Sequence, residues 1–220
     1  MSLLETIKAT TAPVHRDGYK FLGVGAGLTL IGGYLWLPAG FLFALLTGWI
    51  AYFFRDPDRV TPLREGLVVA PADGRIESVR KVRPPDELGF GEKERVRVSI
   101  FLSVFDVHVN RAPVAGRIAR VNYVEGAFFN AALDKASEEN ERRSLVIVTA
   151  EGIEIGVVQI AGLIARRIVP FVQAGDTLDA GQRIGLIRFG SRMDVYLPPG
   201  RAALVAAGQR AIAGETVLAD

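Results

Sequence analysis

Two patterns of hydrophobic and polar positions divide this chain. From Tyr19 to Phe54 apolar side chains run almost without interruption, and Lys20 is the only charged residue in that stretch. Pro38 splits the run into halves of about 17 to 19 residues, the short limit for a helix crossing a hydrocarbon core of ~30 Å. Tyr19, Tyr34, Trp36, Trp49 and Tyr52 sit near the ends and the bend, as interfacial anchors do. Lys8, Arg16 and Lys20 flank the start of the pair, Arg55 and Arg59 follow it, and the bend carries no charge. The pattern predicts an apolar helical hairpin over residues 1–54, membrane-associated, with both ends in the cytoplasm. Its glycines weaken the helices, so a full crossing and a shallow re-entrant loop both stay open. A buried helical pair in a soluble core is the other reading. A cleaved signal peptide fits poorly, because there are two apolar segments and Arg55-Asp56-Pro57 follows directly.

Beyond Pro62 the period changes. Arg95 to Ile100 alternates with period two, as a half-buried strand does. Leu145 to Val148 and Ile153 to Ile160 are rich in β-branched residues and are separated by Glu151-Gly152, which predicts a hairpin. Gly89 to Glu94 reads as an exposed loop, and Asn130 to Glu141 as the one helix of this region. Ala70-Pro-Ala-Asp-Gly-Arg-Ile76 recurs as Ala112-Pro-Val-Ala-Gly-Arg-Ile118. Ala174-Gly-Asp-Thr-Leu178 resembles Ala213-Gly-Glu-Thr-Val217, and Gly181-Gln-Arg183 resembles Gly208-Gln-Arg210. Paired glycine turns between short strands predict a mainly β unit over residues 55–220, a duplicated sandwich of interleaved hairpins of the hybrid-motif kind.

Composition narrows the chemistry. Half of the 220 residues are hydrophobic and mean hydropathy is +0.26, yet the charged fraction of 23% is ordinary, so the apolar excess is local. There is no cysteine, which removes disulfides and thiolate chemistry. A formal net charge of +2 is too small to argue for nucleic acid. His15 and His108 are the only histidines.

His108 lies in an apolar strand with Asp106 and Arg111 close in sequence, polar groups that are costly to bury unless they pair or act. Asp73, in Pro71-Ala-Asp-Gly74, is by itself a turn residue. Ser191, in Gly190-Ser-Arg192, is by itself another. Together an acid, one histidine and a serine preceded by glycine form the inventory of a serine-activating set. Glycine before the serine permits backbone geometry that a side chain would exclude.

Phe54-Arg-Asp-Pro-Asp-Arg59, Pro71-Ala-Asp-Gly74, Asp106-Val-His-Val-Asn-Arg111 and Phe189-Gly-Ser-Arg192 strongly resemble the phosphatidylserine decarboxylase family, in its short bacterial and archaeal branch. Asn140-Glu-Arg142 and Gln159-Ile-Ala-Gly162 fit as well, and the likeness runs from about Tyr52 to the C-terminus. The resemblance implies that Asp73 and His108 activate Ser191 against the carbonyl of Gly190. It further implies that Ser191 becomes a pyruvoyl cofactor, and that chains 1–190 and 191–220 stay together in one fold. The substrate would be phosphatidylserine in the inner cell membrane, met from the cytoplasmic side, and a homo-oligomer is compatible with it. A carbonyl cofactor can condense with the substrate amine and take up the electrons left by decarboxylation, which no ordinary side chain can do. His108 is the candidate for protonating the product carbon. Arg111 could hold the phosphate or carboxylate of the substrate, or serve a structural ion pair. Arg166 and Arg167 are further head-group candidates, although neighbours on a strand face opposite ways.

Two departures stand out. Longer relatives carry His-x-x-His where this chain has His108 and Arg111, so two histidines cannot divide the work here. Those relatives also tend to have Gly-Ser-Thr where this chain has Gly-Ser-Arg. Rival readings are a pyruvoyl decarboxylase of a soluble amino acid, which the apolar hairpin disfavours, and a non-catalytic membrane-tethered β module. A zinc peptidase needs more histidines than the chain has, and no metal site is expected.

Overall fold

The structure, a computed structural model, describes residues 12–126, 140–162 and 167–220. The helix expected over Asn130 to Glu141 therefore lies, but for its last two residues, outside the described residues, as does Arg166. The chain divides into two compact units, residues 1–58 and 59–220.

The first unit is a pair of helices, α1 (Tyr19–Leu35) and α2 (Leu37–Phe53). Trp36 is extended between them (φ −162°, ψ 114°), and Pro38 occupies the first turn of α2, where its missing N–H breaks no bond. The glycines that weaken these helices also let them approach. A Cβ on Gly40 would fall 2.5 Å from Gly33 Cα, and one on Gly25 would fall 2.4 Å from Thr47 Oγ1. Thr29 and Thr47 direct their hydroxyls to their own helices, onto the carbonyls of Gly25 and Phe43. Large apolar side chains face outward, Leu30, Tyr34, Leu37 and Phe41 among them. Each helix has 17 residues, about 25 Å at 1.5 Å per residue, and no helix among the described residues is long and apolar enough to cross a membrane. The unit ends after Asp58 rather than Phe54 because the chain leaving α2 pairs with the chain entering α1. His15 N–H donates to Phe54 O and Asp56 N–H to Pro13 O, both at 2.7 Å.

The second unit is mainly β. Its strands are β1 (Val68–Val69), β2 (Gly74–Val82), β3 (Arg95–Leu102), β4 (Val109–Arg111), β5 (Gly116–Val124), β6 (Arg142–Val148), β7 (Glu154–Ala161), β8 (Ile168–Pro170), β9 (Thr177–Leu178), β10 (Arg183–Ile187), β11 (Ser191–Tyr196), β12 (Arg210–Ala211) and β13 (Val217–Ala219). Eight of them form one curled antiparallel sheet in the order β12-β2-β3-β11-β7-β6-β5-β9. The sheets β4-β10-β8 and β1-β13 complete the unit. Inward residues of the large sheet, including Ile76, Ile100, Ile118, Ile147, Val157 and Val195, join one buried core with Ile184 and Leu218 from the smaller sheets.

The order of the large sheet is its own mirror about the β11–β7 pair, which is the signature of duplication. Gly74 and Gly116 open β2 and β5 with φ of 155° and 157°. Each lies so close to the neighbouring strand that a Cβ would sit 2.1 Å from Phe101 O in one case and 2.4 Å from Val148 O in the other. Only glycine fits such a contact, so the repeated Gly-Arg-Ile is a packing requirement. The later repeats pair differently from the sequence reading. Gly175 N–H bonds Ile118 O where Gly208 N–H bonds Ile76 O, and Gly181 N–H bonds Ala112 O where Gly214 N–H bonds Ala70 O. Ala174-Gly175-Asp176 is thus the counterpart of Ala207-Gly208-Gln209, and Ala180-Gly181-Gln182 that of Ala213-Gly214-Glu215. The local likeness of Gly-Asp-Thr to Gly-Glu-Thr matched the wrong turns.

Candidate active site

Ser191 is the first residue of β11, an inner strand with Leu102 of β3 on one side and Ala161 of β7 on the other. It is fully buried, and its Oγ has no hydrogen-bond partner among the described residues. Buried hydroxyls are ordinarily satisfied, so an orphaned Oγ beside a glycine peptide is a candidate for chemistry. The two residues before it are bent into the left-handed region, Phe189 at φ 60° and Gly190 at φ 77°. For Phe189 that conformation costs on the order of 1–2 kcal/mol.

Both ends of the Gly190 residue are held. Its N–H donates to His108 Nε2 at 3.1 Å, and its carbonyl accepts the N–H of Gly162 at 3.2 Å. His108 is fully buried, and its Nδ1 lies 2.9 Å from the backbone carbonyl of Asp106. A carbonyl can only accept, so Nδ1 carries the proton and Nε2 offers its lone pair toward residue 190. The turn from β3 into β4 delivers this imidazole. Asp106 closes the turn by accepting from Ser103 N–H (2.9 Å) and Oγ (2.7 Å), and Arg210 of β12 donates to its other oxygen at 2.6 Å. The Asp106 carboxylate therefore positions His108 through the backbone.

Asp73 stands in the turn that enters β2. One carboxylate oxygen accepts Ala213 N–H at 2.8 Å and the other accepts Arg59 Nη2 at 2.7 Å. The register Arg75↔Phe101 and Leu102↔Ser191 sets Asp73 at the same end of the sheet as Ser191, two strands or roughly 10 Å away. Arg111 is buried and donates to the carbonyl of Gly181 at 2.9 Å, which ties it to a glycine turn of the scaffold. Arg167 is exposed, and its carbonyl accepts Arg188 N–H just before the 190–191 peptide.

Several polar residues near the site carried no role in the sequence. Arg59, in the sequence a flanking base and a motif residue, holds Asp73. Asn140 Nδ2 donates to Ala161 O at 2.7 Å, and Ala161 N–H donates to Glu141 O, so Asn140-Glu141 fixes the chain just before Gly162. Gln159 and Asn110 share a buried hydrogen bond of 2.8 Å, and Arg143 donates to Gln159 Oε1 at 3.1 Å. Burial pushes the Arg143 guanidinium below its ordinary pKa. The signal for these groups was there, since three of the motifs that carry the resemblance contain Arg59, Asn140 and Gln159. Their purpose needed the fold.

A groove of about 800 Å³ in the second unit lies elsewhere: Ala115, Gly116, Thr149, Ile153 and Leu178 line it. It lies at the duplicated counterpart of the Asp73–Ser191 end, and Ser191 is not part of it.

The family described as Phosphatidylserine decarboxylase matches residues 46–219. A protein of Nitrobacter winogradskyi named Phosphatidylserine decarboxylase proenzyme is 60% identical over 215 residues, covering 98% of this chain and 87% of that relative. The match spans both the buried Ser191 site and the duplicated β unit that frames it, and the chain belongs to the phosphatidylserine decarboxylase family.

Proposed function

We propose that this chain is a proenzyme that cuts itself between Gly190 and Ser191, and that the cut enzyme decarboxylates phosphatidylserine to phosphatidylethanolamine. One observation carries the reading: a buried Ser191 Oγ, without a hydrogen-bond partner among the described residues, adjoins a glycine carbonyl that already receives a backbone N–H, with an imidazole held against the same glycine. In self-cleavage, His108 Nε2 leaves the Gly190 N–H and takes the Ser191 hydroxyl proton as Oγ bonds to the Gly190 carbonyl carbon. The negative charge that develops on that carbonyl oxygen is met by Gly162 N–H. The C–N bond between 190 and 191 then breaks, and the nitrogen takes the proton back from His108 to become a free amine on the ester. Loss of the Ser191 Cα proton expels the Gly190 carboxylate from Cβ. The resulting enamine shifts to an imine, and water releases ammonia and leaves a pyruvoyl group at 191. Cleavage also relieves the bent Phe189–Gly190 backbone. Asp73, held by Arg59 and by the Ala213 N–H at this end of the sheet, is the acidic member of the set.

The residues fit such a group. Position 191 is buried, fixed by two flanking strands, and beside an imidazole able to hold or return a proton. A carbonyl at 191 supplies an electrophile for the substrate amine and takes up the electrons released as CO2 departs. His108 is the group placed to protonate the product carbon. Arg167, exposed near the cut, is placed for the outer part of the head group; Arg111 is engaged with the Gly181 turn. The helical unit is proposed as the membrane anchor on the cytoplasmic side of the inner membrane, supported by its outward apolar faces and by Arg16, Lys20 and Arg55 at its open end.

Vesicles containing phosphatidylserine test the reading. Wild type should release CO2 and form phosphatidylethanolamine, and Ser191→Ala should do neither. Turnover by the uncut Ser191→Ala chain, or a cut wild type inert on this lipid, would overturn it. Removing residues 1–54 should release the protein from vesicles, and retained binding would move the anchor to the β unit.

A further inference from the structure

Near Ser191, three buried side chains fix one another's orientation. Arg143 has donors only; its Nη1 bonds Gln159 Oε1 at 3.1 Å and its Nη2 bonds the Val172 carbonyl at 2.6 Å. Gln159 must therefore turn its oxygen to Arg143 and its Nε2 the other way, where it donates to Asn110 Oδ1 at 2.8 Å. That settles Asn110 in turn: its oxygen faces Gln159, and its Nδ2 faces away. Asn110 is fully buried, and Nδ2 has no hydrogen-bond partner among the described residues. A buried amide donor without an acceptor is costly, and here the preceding links of the chain prevent the flip that would relieve it.

The chain and strand neighbours of Asn110 lead to the reactive centre. Asn110 follows His108 by two residues, so the two share a face of the extended chain, and His108 reaches Gly190 from that face. Gln159 is two residues, about 7 Å, along β7 from Ala161, the strand partner of Ser191. Gly185, paired with Asn110, makes room for the arrangement, since a Cβ there would fall 2.9 Å from Gln159 Nε2. Among the described residues Asn110 Nδ2 meets no oxygen acceptor.

We infer that Asn110 Nδ2 is a substrate contact that receives the carboxylate of the amino-acid head group beside position 191. The inference rests on the proposed reaction, in which the amine joins at 191. The carboxylate shares a carbon with that amine and so lies deep in the site, while the phosphate points back toward the lipid. A neutral donor also suits a group that must lose its charge as CO2, because a full ion pair would hold the ground state more firmly than the transition state.

The test uses the whole wild-type protein with Asn110→Ala and Asn110→Asp. Asn110→Asp keeps the acceptor for Gln159 and the shape of the side chain, but puts a negative oxygen where the donor was. Glycerophosphoserine and glycerophosphoethanolamine are offered separately with cyanoborohydride, and the mass added to the 191–220 fragment is followed against probe concentration. Both variants should self-cleave. Half-maximal trapping by the serine probe should need about tenfold more ligand or higher in Asn110→Ala, and more again in Asn110→Asp. The ethanolamine probe, which has no carboxylate, should shift by less than about twofold. Equal shifts for both probes, or none for either, would overturn the assignment. So would variants that fail to cleave where wild type does, since Asn110 would then belong to maturation. A wild-type chain that never yields the fragment removes the reaction beneath the inference as well, and its mass alone tells that case apart.

Discussion

Gly190 and Gly152 occupy the same place in the two halves of the duplicated β unit. Gly74 packs on Phe101 O as Gly116 packs on Val148 O, and Phe101 pairs with Arg192 as Val148 pairs with Glu154. Two residues before Arg192 and Glu154 come Gly190 and Gly152, with φ of 77° and 78°. In one half the strands are joined directly: Gly152 N–H closes a turn onto Thr149 O at 3.0 Å, and Ile153 follows. In the other half the hairpin is open. Its chain runs from Leu102 through the Asp106 turn to His108, so Gly190 N–H meets an imidazole instead of a carbonyl, and Ser191 stands where Ile153 stands. Asp73 likewise replaces Ala115. The scaffold supplies a left-handed glycine at a sheet end twice, and the proposed chemistry falls on the copy whose strands are joined by a long connection instead of a turn.

Substitutions in the two halves separate their roles. The largest effect is expected from Ser191→Ala, which should abolish both cleavage and decarboxylation and leave a single chain. His108→Ala should slow cleavage by on the order of 100-fold or more, followed as fragment formation over time, while the domain stays folded. Normal maturation of that variant would remove the imidazole from the account. The two glycines should then separate structure from chemistry. Gly152→Ala has open space for its Cβ and should lose only about 1–2 kcal/mol of stability in urea, from the left-handed backbone, with cleavage unchanged. Gly190→Ala has comparable room, its nearest neighbour being Val104 Cγ1 at 3.8 Å, and should cost similar stability but slow cleavage roughly tenfold besides. Equal cleavage in both would mean that the bent peptide at 190 has no part in the reaction. The smallest effect belongs to Ala115→Asp, which places an acid at the exposed counterpart of Asp73. Stability should change by no more than about 0.5 kcal/mol and no new cut should appear, because Ile153 carries no nucleophile.

The sequence made much of this legible, for physical reasons that differ from place to place. The apolar run and Pro38 announced the helical pair, since a proline belongs at a first turn and charges avoid such a surface. Gly74-Arg75-Ile76 and Gly116-Arg117-Ile118 announced the duplication, because a glycine forced by backbone contact cannot vary freely. The later glycine turns were misaligned because Ala-Gly-Asp and Ala-Gly-Glu look alike, and only the ladder to Ile76 and Ile118 distinguishes them. Asp73, His108 and Ser191 are legible as residue types able to act together; Asp73 and Ser191 stand at one end of the large sheet, and His108 meets the N–H of Gly190. What the sequence could not carry were contacts made by backbone or by long-range pairs. Gly162 N–H on the Gly190 carbonyl leaves no mark in residue type, and neither Arg59 on Asp73 nor Arg210 on Asp106 follows any local spacing.

The most direct test is the intact mass of the purified wild-type protein under denaturing conditions. Two chains split between residues 190 and 191, the smaller lacking a free amine and carrying the mass of a pyruvoyl end, are expected. A single unmodified chain of 23.8 kDa that remains intact would contradict self-cleavage at Ser191.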